Sequence, residues 1–296
     1  MNYKRPKSLL NNNFDTLILE GGSLKCSFTA GVLDVLLDSD FPEFKNYYGV
    51  SSGSMVMSYF IAKQRKNFIK VSRAVVENPN FLSYTNSFTT QGLMNLEFLK
   101  DYVKNTFPFD EEAAERNCVD KNVVIVTSDS KTGKAHYLKP KKGKWINYML
   151  ASATLPIITK GKTKIDDTWM FDGGYADAIP VHEAIRKGAK KLLVIRTRPA
   201  DIRIDKSYLS LMAEYWNYNN DVISDLFHNS YKIYNKSVDF LNGEKPKGID
   251  WHVLAPPTVL KADGYYLHVE DVNADYRLGL EVGLDFLANL KESNNS

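Results

Sequence analysis

Tyr47-Tyr48-Gly49-Val50-Ser51-Ser52-Gly53-Ser54-Met55 sets a serine between two glycines in the spacing Gly-x-Ser-x-Gly. The tyrosines and Val50 lead in as a buried strand would, and Ser52 to Ala62 (SGSMVMSYFIA) continues with the small and apolar residues of a buried helix. Strand, sharp turn and helix together make a nucleophile elbow. The serine stands at the strained apex, Gly49 and Gly53 let neighbouring backbone pass without Cβ clashes, and the helix start aims its amides at the hydroxyl. A plainer reading is a tight turn with Ser51 as an ordinary N-cap. About 0.1 copies of this spacing arise by chance in such a chain, so the motif alone leaves both readings open.

On the N-terminal side, Phe14 to Leu19 (FDTLIL) reads as a buried strand ended by Glu20-Gly21-Gly22, and Ser27 to Leu37 has apolar residues at helical spacing. A glycine turn between strand and helix is either a plain connection or an anion site, because amides there lack partners. It does not carry the three glycines of a dinucleotide fingerprint.

On the C-terminal side, Asn67 to Phe107 reads as mixed helix with a turn near Gln91-Gly92. Lys121 to Ser128 is a buried strand that pairs with Ala135 to Leu138 across Lys131 to Gly133. Lys139 to Lys144 (KPKKGK) is a basic loop, solvated or touching a membrane surface. A helix follows from Trp145 to Ala153, ended by Pro156. Thr168 to Tyr175 then delivers Asp172 onto Gly173 and Gly174, where its carboxylate is either tied down by its own turn or serves as a base. Pro180 opens a helix to Lys187, and Lys191 to Arg196 is a further strand. The aromatic stretch 205–241 reads as two helices, as core, a cap or a lid. A last strand at Ile249 to Leu254 and a long helix at Val272 to Leu290 follow.

Alternating strands and helices build a parallel sheet, so the expected fold is a three-layer α/β/α domain with a central, mostly parallel sheet and a helical C-terminal region. The expected division is a polar leader (1–13), a core (14–200), a helical cap and C-terminal region completing the same domain (201–290) and a disordered tail (291–296).

Of the 296 residues, 44% are hydrophobic and 25% charged, as in a globular protein. With 38 basic against 35 acidic residues, the balance is too even to argue for nucleic acid. The two cysteines, Cys26 and Cys118, form no disulfide framework and stand in no metal-ligand spacing, which suits a reducing compartment. No metal or cofactor is implied. The start MNYKRPKSLLNNNFD lacks an apolar signal core, and no apolar run reaches about 18 residues, so a cytoplasmic protein with at most peripheral membrane contact is expected.

Serine chemistry needs a base for the hydroxyl and donors for the oxyanion. The Gly21-Gly22 turn, Ser51 and Asp172 offer these parts, and with its motifs in that order the chain resembles the patatin-like phospholipases, or acyl hydrolases. The resemblance runs from about Phe14 to Arg198 and rests on a glycine loop, Gly-x-Ser-x-Gly and Asp-Gly-Gly. It implies Ser51 as nucleophile, Asp172 as base without a histidine, and an acyl lipid substrate such as a phospholipid or lysophospholipid. It also implies an oxyanion hole around Gly21, Gly22 and Ser23, with Lys25 in the place of the family's arginine.

The loop departs from the family's Gly-Gly-Gly-x-Arg-Gly. Ser23 replaces the third glycine, Lys25 the arginine and Cys26 the last glycine. Ser23 and Cys26 then need conformations open to non-glycine residues, and lysine lacks the planar fork of arginine. Two other readings stand beside the dyad. One is an α/β hydrolase with a Ser-Asp-His triad using His252 or His268; the other is a lipid-binding relative that has lost catalysis. Retention of both Ser51 and Asp172 argues against the second.

Overall fold

The computed structural model describes residues 14–81, 94–155, 159–160, 163–206, 221–263 and 267–295. The turn expected at Gln91-Gly92, the stop at Pro156, the leader and the first of the two helices expected in 205–241 lie outside them.

Short runs of buried residues supply the strands β1 (Thr16–Leu19), β2 (Asn46–Val50), β3 (Met94–Asn95), β4 (Asn122–Asp129), β5 (Ala135–Leu138), β6 (Thr159–Lys160), β7 (Thr163–Ile165), β8 (Thr168–Asp172), β9 (Lys191–Ile195) and β10 (Asp250–Leu254). The helices are α1 (Cys26–Asp38), α2 (Ser52–Ile61), α3 (Asn67–Glu77), α4 (Leu96–Asn105), α5 (Glu111–Asn117), α6 (Trp145–Ser152), α7 (Gly174–Asp177), α8 (Val181–Arg186), α9 (Asp221–Asn242) and α10 (Val269–Asn295). Asn95 and Asp110 cap α4 and α5 through their side chains, accepting from the Phe98 and Ala113 amides.

Strands β10, β9, β1, β2 and β4 lie side by side and all parallel. Their side chains alternate between two cores, as a two-residue period requires. Leu17, Leu19, Tyr47, Ile125 and Leu193 face α1 to α6 and α10, while Ile18, Tyr48, Val50, Val124 and Val194 face α8 and α9. The sheet is therefore covered on both sides, in three layers and with mostly parallel pairing, as the sequence led us to expect.

The antiparallel part of the sheet fixes the site. Val126 on β4 pairs with Val50 of β2 and with Tyr137 of β5, while Thr127 pairs with His136 of β5 and Asp172 of β8. A strand has two edges, and β5 occupies one of them from Ile125 to Ser128. So β2 and β8 lie on the same edge of β4, running towards each other, and stop at adjacent positions. Ser51 and Asp172 meet because both strands end there.

The short strands β3, β6 and β7 were not expected. At two or three residues, they carry no legible periodicity. The last helix begins at Val269, three residues earlier than its spacing suggested, and runs through Asn295 rather than giving way to a disordered tail. This helix packs along α1 at glycines. A Cβ at Gly279 would lie 2.0 Å from the Phe28 carbonyl oxygen, and one at Gly31 would lie 2.3 Å from the Tyr276 carbonyl oxygen. The Tyr276 hydroxyl donates to Asp34 across the same seam at 2.7 Å.

Candidate active site

Ser51 turns the chain from β2 into α2 with φ 53° and ψ −134°, a strained backbone for a residue with a side chain. The glycines around it make room. A Cβ at Gly21 would sit 2.7 Å from Ser51 Cβ, one at Gly49 would lie 2.6 Å from Ser54 Cα, and one at Gly53 would lie 2.6 Å from the Glu20 carbonyl oxygen. The Ser51 hydroxyl donates to Asp172 Oδ2 at 2.5 Å, and the Gly174 amide donates to Oδ1 at 2.7 Å. A Cβ at Gly173 would lie 2.2 Å from the Val126 carbonyl oxygen, so only glycine lets the Asp172 turn close over β4.

Burial raises the Asp172 carboxyl to about 6, and the hydrogen bonds from Ser51 and Gly174 offset only part of that rise. A carboxylate in this range is a far better proton acceptor than a solvated aspartate, yet about nine-tenths ionised at pH 7.

Sequence reasoning did not single out the residues that hold this pair. Ser152, at the end of α6, accepts from the Ser51 amide at 2.7 Å and donates to the Val126 carbonyl at 2.5 Å. Its own carbonyl accepts from Gly173 at 3.3 Å, and the Thr154 carbonyl accepts from the Asp172 amide at 2.7 Å. The Ser128 hydroxyl donates to the Asp172 carbonyl at 2.7 Å. No local pattern marks them, since Ser152 and Ser128 pair with residues 101 and 44 positions away.

The glycine loop lies against Ser51. Gly22, at φ 154°, needs to be glycine, whereas Ser23 takes φ 55°, reachable by serine at some strain. Cys26 is ordinary helix at φ −64° and imposes no glycine requirement. It is buried, its Sγ is 3.0 Å from the Ser52 hydroxyl, and burial pushes its thiol up to about 12.

The loop differs from the expected set of donors. The Gly22 amide is engaged, donating to the Ser52 hydroxyl at 3.2 Å. Among the described residues the Gly21 and Ser23 amides have no acceptor. The Lys25 side chain turns away to an ion pair with Asp263 at 2.5 Å, 7% exposed, so its charge is committed to structure. Glu20, just before the loop, is buried and bonded to Arg196, the Thr197 amide and the Tyr234 hydroxyl.

His252 of the triad reading stands apart. It lies on β10, three strands and roughly 14 Å from β2 at the usual strand spacing, between the rings of Phe14 and Phe286. His268 is exposed just before α10. The basic loop 139–144 begins where β5 runs away from the site, one eight-residue helix, or about 12 Å, from Ser152.

A narrow apolar crevice of about 30 Å³ opens beside α2, lined by Met55, Tyr59, Leu99, Val103, Ile146 and Met149, among others. The N-terminal half of α9 covers the turn after Asp172, where Phe227 packs on Phe171 and Tyr175 at 5.7 and 4.7 Å. No helix of the described residues is long and apolar enough to cross a membrane, and no group of three or more His, Cys, Asp or Glu among them could hold a metal ion.

A protein of Escherichia coli strain K12 named uncharacterized protein YjjU is 29% identical over 276 residues, covering 92% of this chain and 76% of its own length. The crystal structure of VipD from Legionella pneumophila aligns over 95% of this chain and 68% of its own, at a TM-score of 0.44 and 11% identity. Residues 222–295 match a domain family of unknown function, DUF6363. Residues 17–185, which hold the elbow, the glycine loop and the Asp172 turn, match the model of the patatin-like phospholipases. The chain belongs to the patatin-like phospholipase family, a membership that supports lipid acyl hydrolysis as its class of activity.

Proposed function

We propose that the protein hydrolyses carboxylic esters of lipids, phospholipid or lysophospholipid, through a Ser51-Asp172 dyad and an acyl-enzyme. The observation that carries this reading is the 2.5 Å hydrogen bond from the Ser51 hydroxyl to a buried carboxylate.

Asp172 takes the Ser51 proton as Oγ attacks the ester carbonyl carbon. The negative charge that develops on the carbonyl oxygen meets the Gly21 and Ser23 amides and the N-terminal end of α2. The carbon–oxygen bond to the alcohol breaks, and the alcohol leaves with the proton from Asp172. Water then gives a proton to Asp172 and attacks the acyl-enzyme; the acid departs and Ser51 Oγ recovers its proton. Met55, one helical turn from Ser51, lines the narrow apolar crevice beside α2, which would have to widen to admit an acyl chain.

Intact-mass measurement after treatment with a fluorophosphonate tests the reading on wild type, Ser51→Ala and Asp172→Asn. One adduct on the wild type and none on either variant is the expected result. A folded wild type that stays unlabelled would sink the hydrolase reading and favour a lipid-binding relative, with the engaged Gly22 amide and Lys25 as the reason.

A further inference from the structure

The region of unknown function, 222–295, reaches the glycine loop at both of its ends. Before the loop, the Tyr234 hydroxyl of α9 donates to Glu20 Oε1 at 2.9 Å and accepts from Arg196 Nη2 at 2.6 Å. After the loop, Asp263 receives Lys25 Nζ at 2.5 Å. Gly21, Gly22 and Ser23 lie between these two anchors.

We infer that the C-terminal region holds the oxyanion loop in place, with Tyr234 and Asp263 as positioning residues; this rests on the reading of Ser51 as nucleophile. The loop does not keep its shape unaided. Ser23 stands at φ 55°, a conformation that persists only where the surroundings over-determine it. Both anchored side chains are buried charges, Glu20 at 2% and Lys25 at 7% exposed: Lys25 is paired with Asp263, and Glu20 with Arg196, whose guanidinium the Tyr234 hydroxyl also bonds. Without Asp263 the Lys25 ammonium is unpaired and turns towards water, carrying the Ser23–Lys25 turn with it. Without the Tyr234 hydroxyl, Glu20 loses a donor next to Gly21. The third glycine and the arginine of the family's loop are missing here, and two contacts from outside the catalytic core stand in their place.

The test uses the full-length wild type, Asp263→Asn, Asp263→Glu, Tyr234→Phe and the exchanged pair Lys25→Asp/Asp263→Lys. Amide hydrogen exchange is followed in segment 19–28, and kcat and KM are measured on a p-nitrophenyl ester. Asp263→Asn and Tyr234→Phe should stay folded and exchange faster in that segment. They should lose kcat by about 10- to 100-fold at unchanged KM, the scale of a catalytic group shifted by about 1 Å. Asp263→Glu and the exchanged pair should recover part of both losses, which a general loss of stability would not. Unchanged exchange in both single variants overturns the inference. A wild type that takes no fluorophosphonate sinks the hydrolase reading, and the exchange arm decides the holding by itself.

Discussion

Asp172 sits where its own ionisation is unfavourable, and on the proposed reading that sets the pH dependence of hydrolysis. Its carboxyl is raised by burial to about 6, so activity should fall as the base is protonated; kcat/KM should rise through about pH 6 and level off above 7. A flat profile from pH 5 to 8 would remove Asp172 from the role of base. Stability runs the other way. The folded state holds this proton up to about pH 6, whereas an unfolded aspartate releases it near 3.9. Stability from this group is thus complete below about pH 4 and lost as pH rises through 6. The melting temperature of Asp172→Asn, relative to wild type, should therefore climb between pH 4 and 7. Ser51 and Asp172 were legible in the sequence because each sits in a short motif whose glycines answer a local steric demand. Ser152 and Glu20 were not. Their partners lie 101 and 176 or more residues away in the chain, and a polar residue that pairs at such range leaves no local pattern.

At the scale of elements, the strands and helices flanking the site were legible from their periodicity, and their ends fell within a few residues. The short strands and the extent of α10 were decided by pairing and packing that no window of sequence contains. The seam between α1 and α10 is the sharpest example. Gly279 faces backbone, 2.0 Å from where its Cβ would meet the Phe28 oxygen, whereas Gly283 faces the Val35 side chain at 3.1 Å. Gly279→Ala should destabilise by about 1–3 kcal/mol and Gly283→Ala by less, because backbone cannot move aside as a side chain can. Thermal melts of the two variants give the comparison, and equal losses would show that the seam adapts.

For the whole molecule, the match to the phospholipase model ends at residue 185, but the hydrophobic cores do not. Tyr234, Val238 and Leu241 of α9 complete the core on one face, and Val272, Tyr276, Phe286 and Leu287 of α10 complete the other. A chain cut after Lys206 should fail to give a cooperative thermal transition, since both faces of the sheet would be left open to water. A soluble, cooperatively melting fragment would instead make the C-terminal region an attachment. The meeting of β2 and β8 on one edge of β4 has a different consequence, for how such a chain can change over time. What brings Ser51 and Asp172 together is where two strands stop, not how much chain separates them. The loop between β5 and α6 can lengthen or shorten through descent without moving either residue, whereas α6 itself is tied to the pair through Ser152 and Thr154. A slip of β8 by two residues along β4 would carry Asp172 roughly 7 Å away and separate the pair at once. The protein can be remodelled in its outer loops and hardly at all in its register.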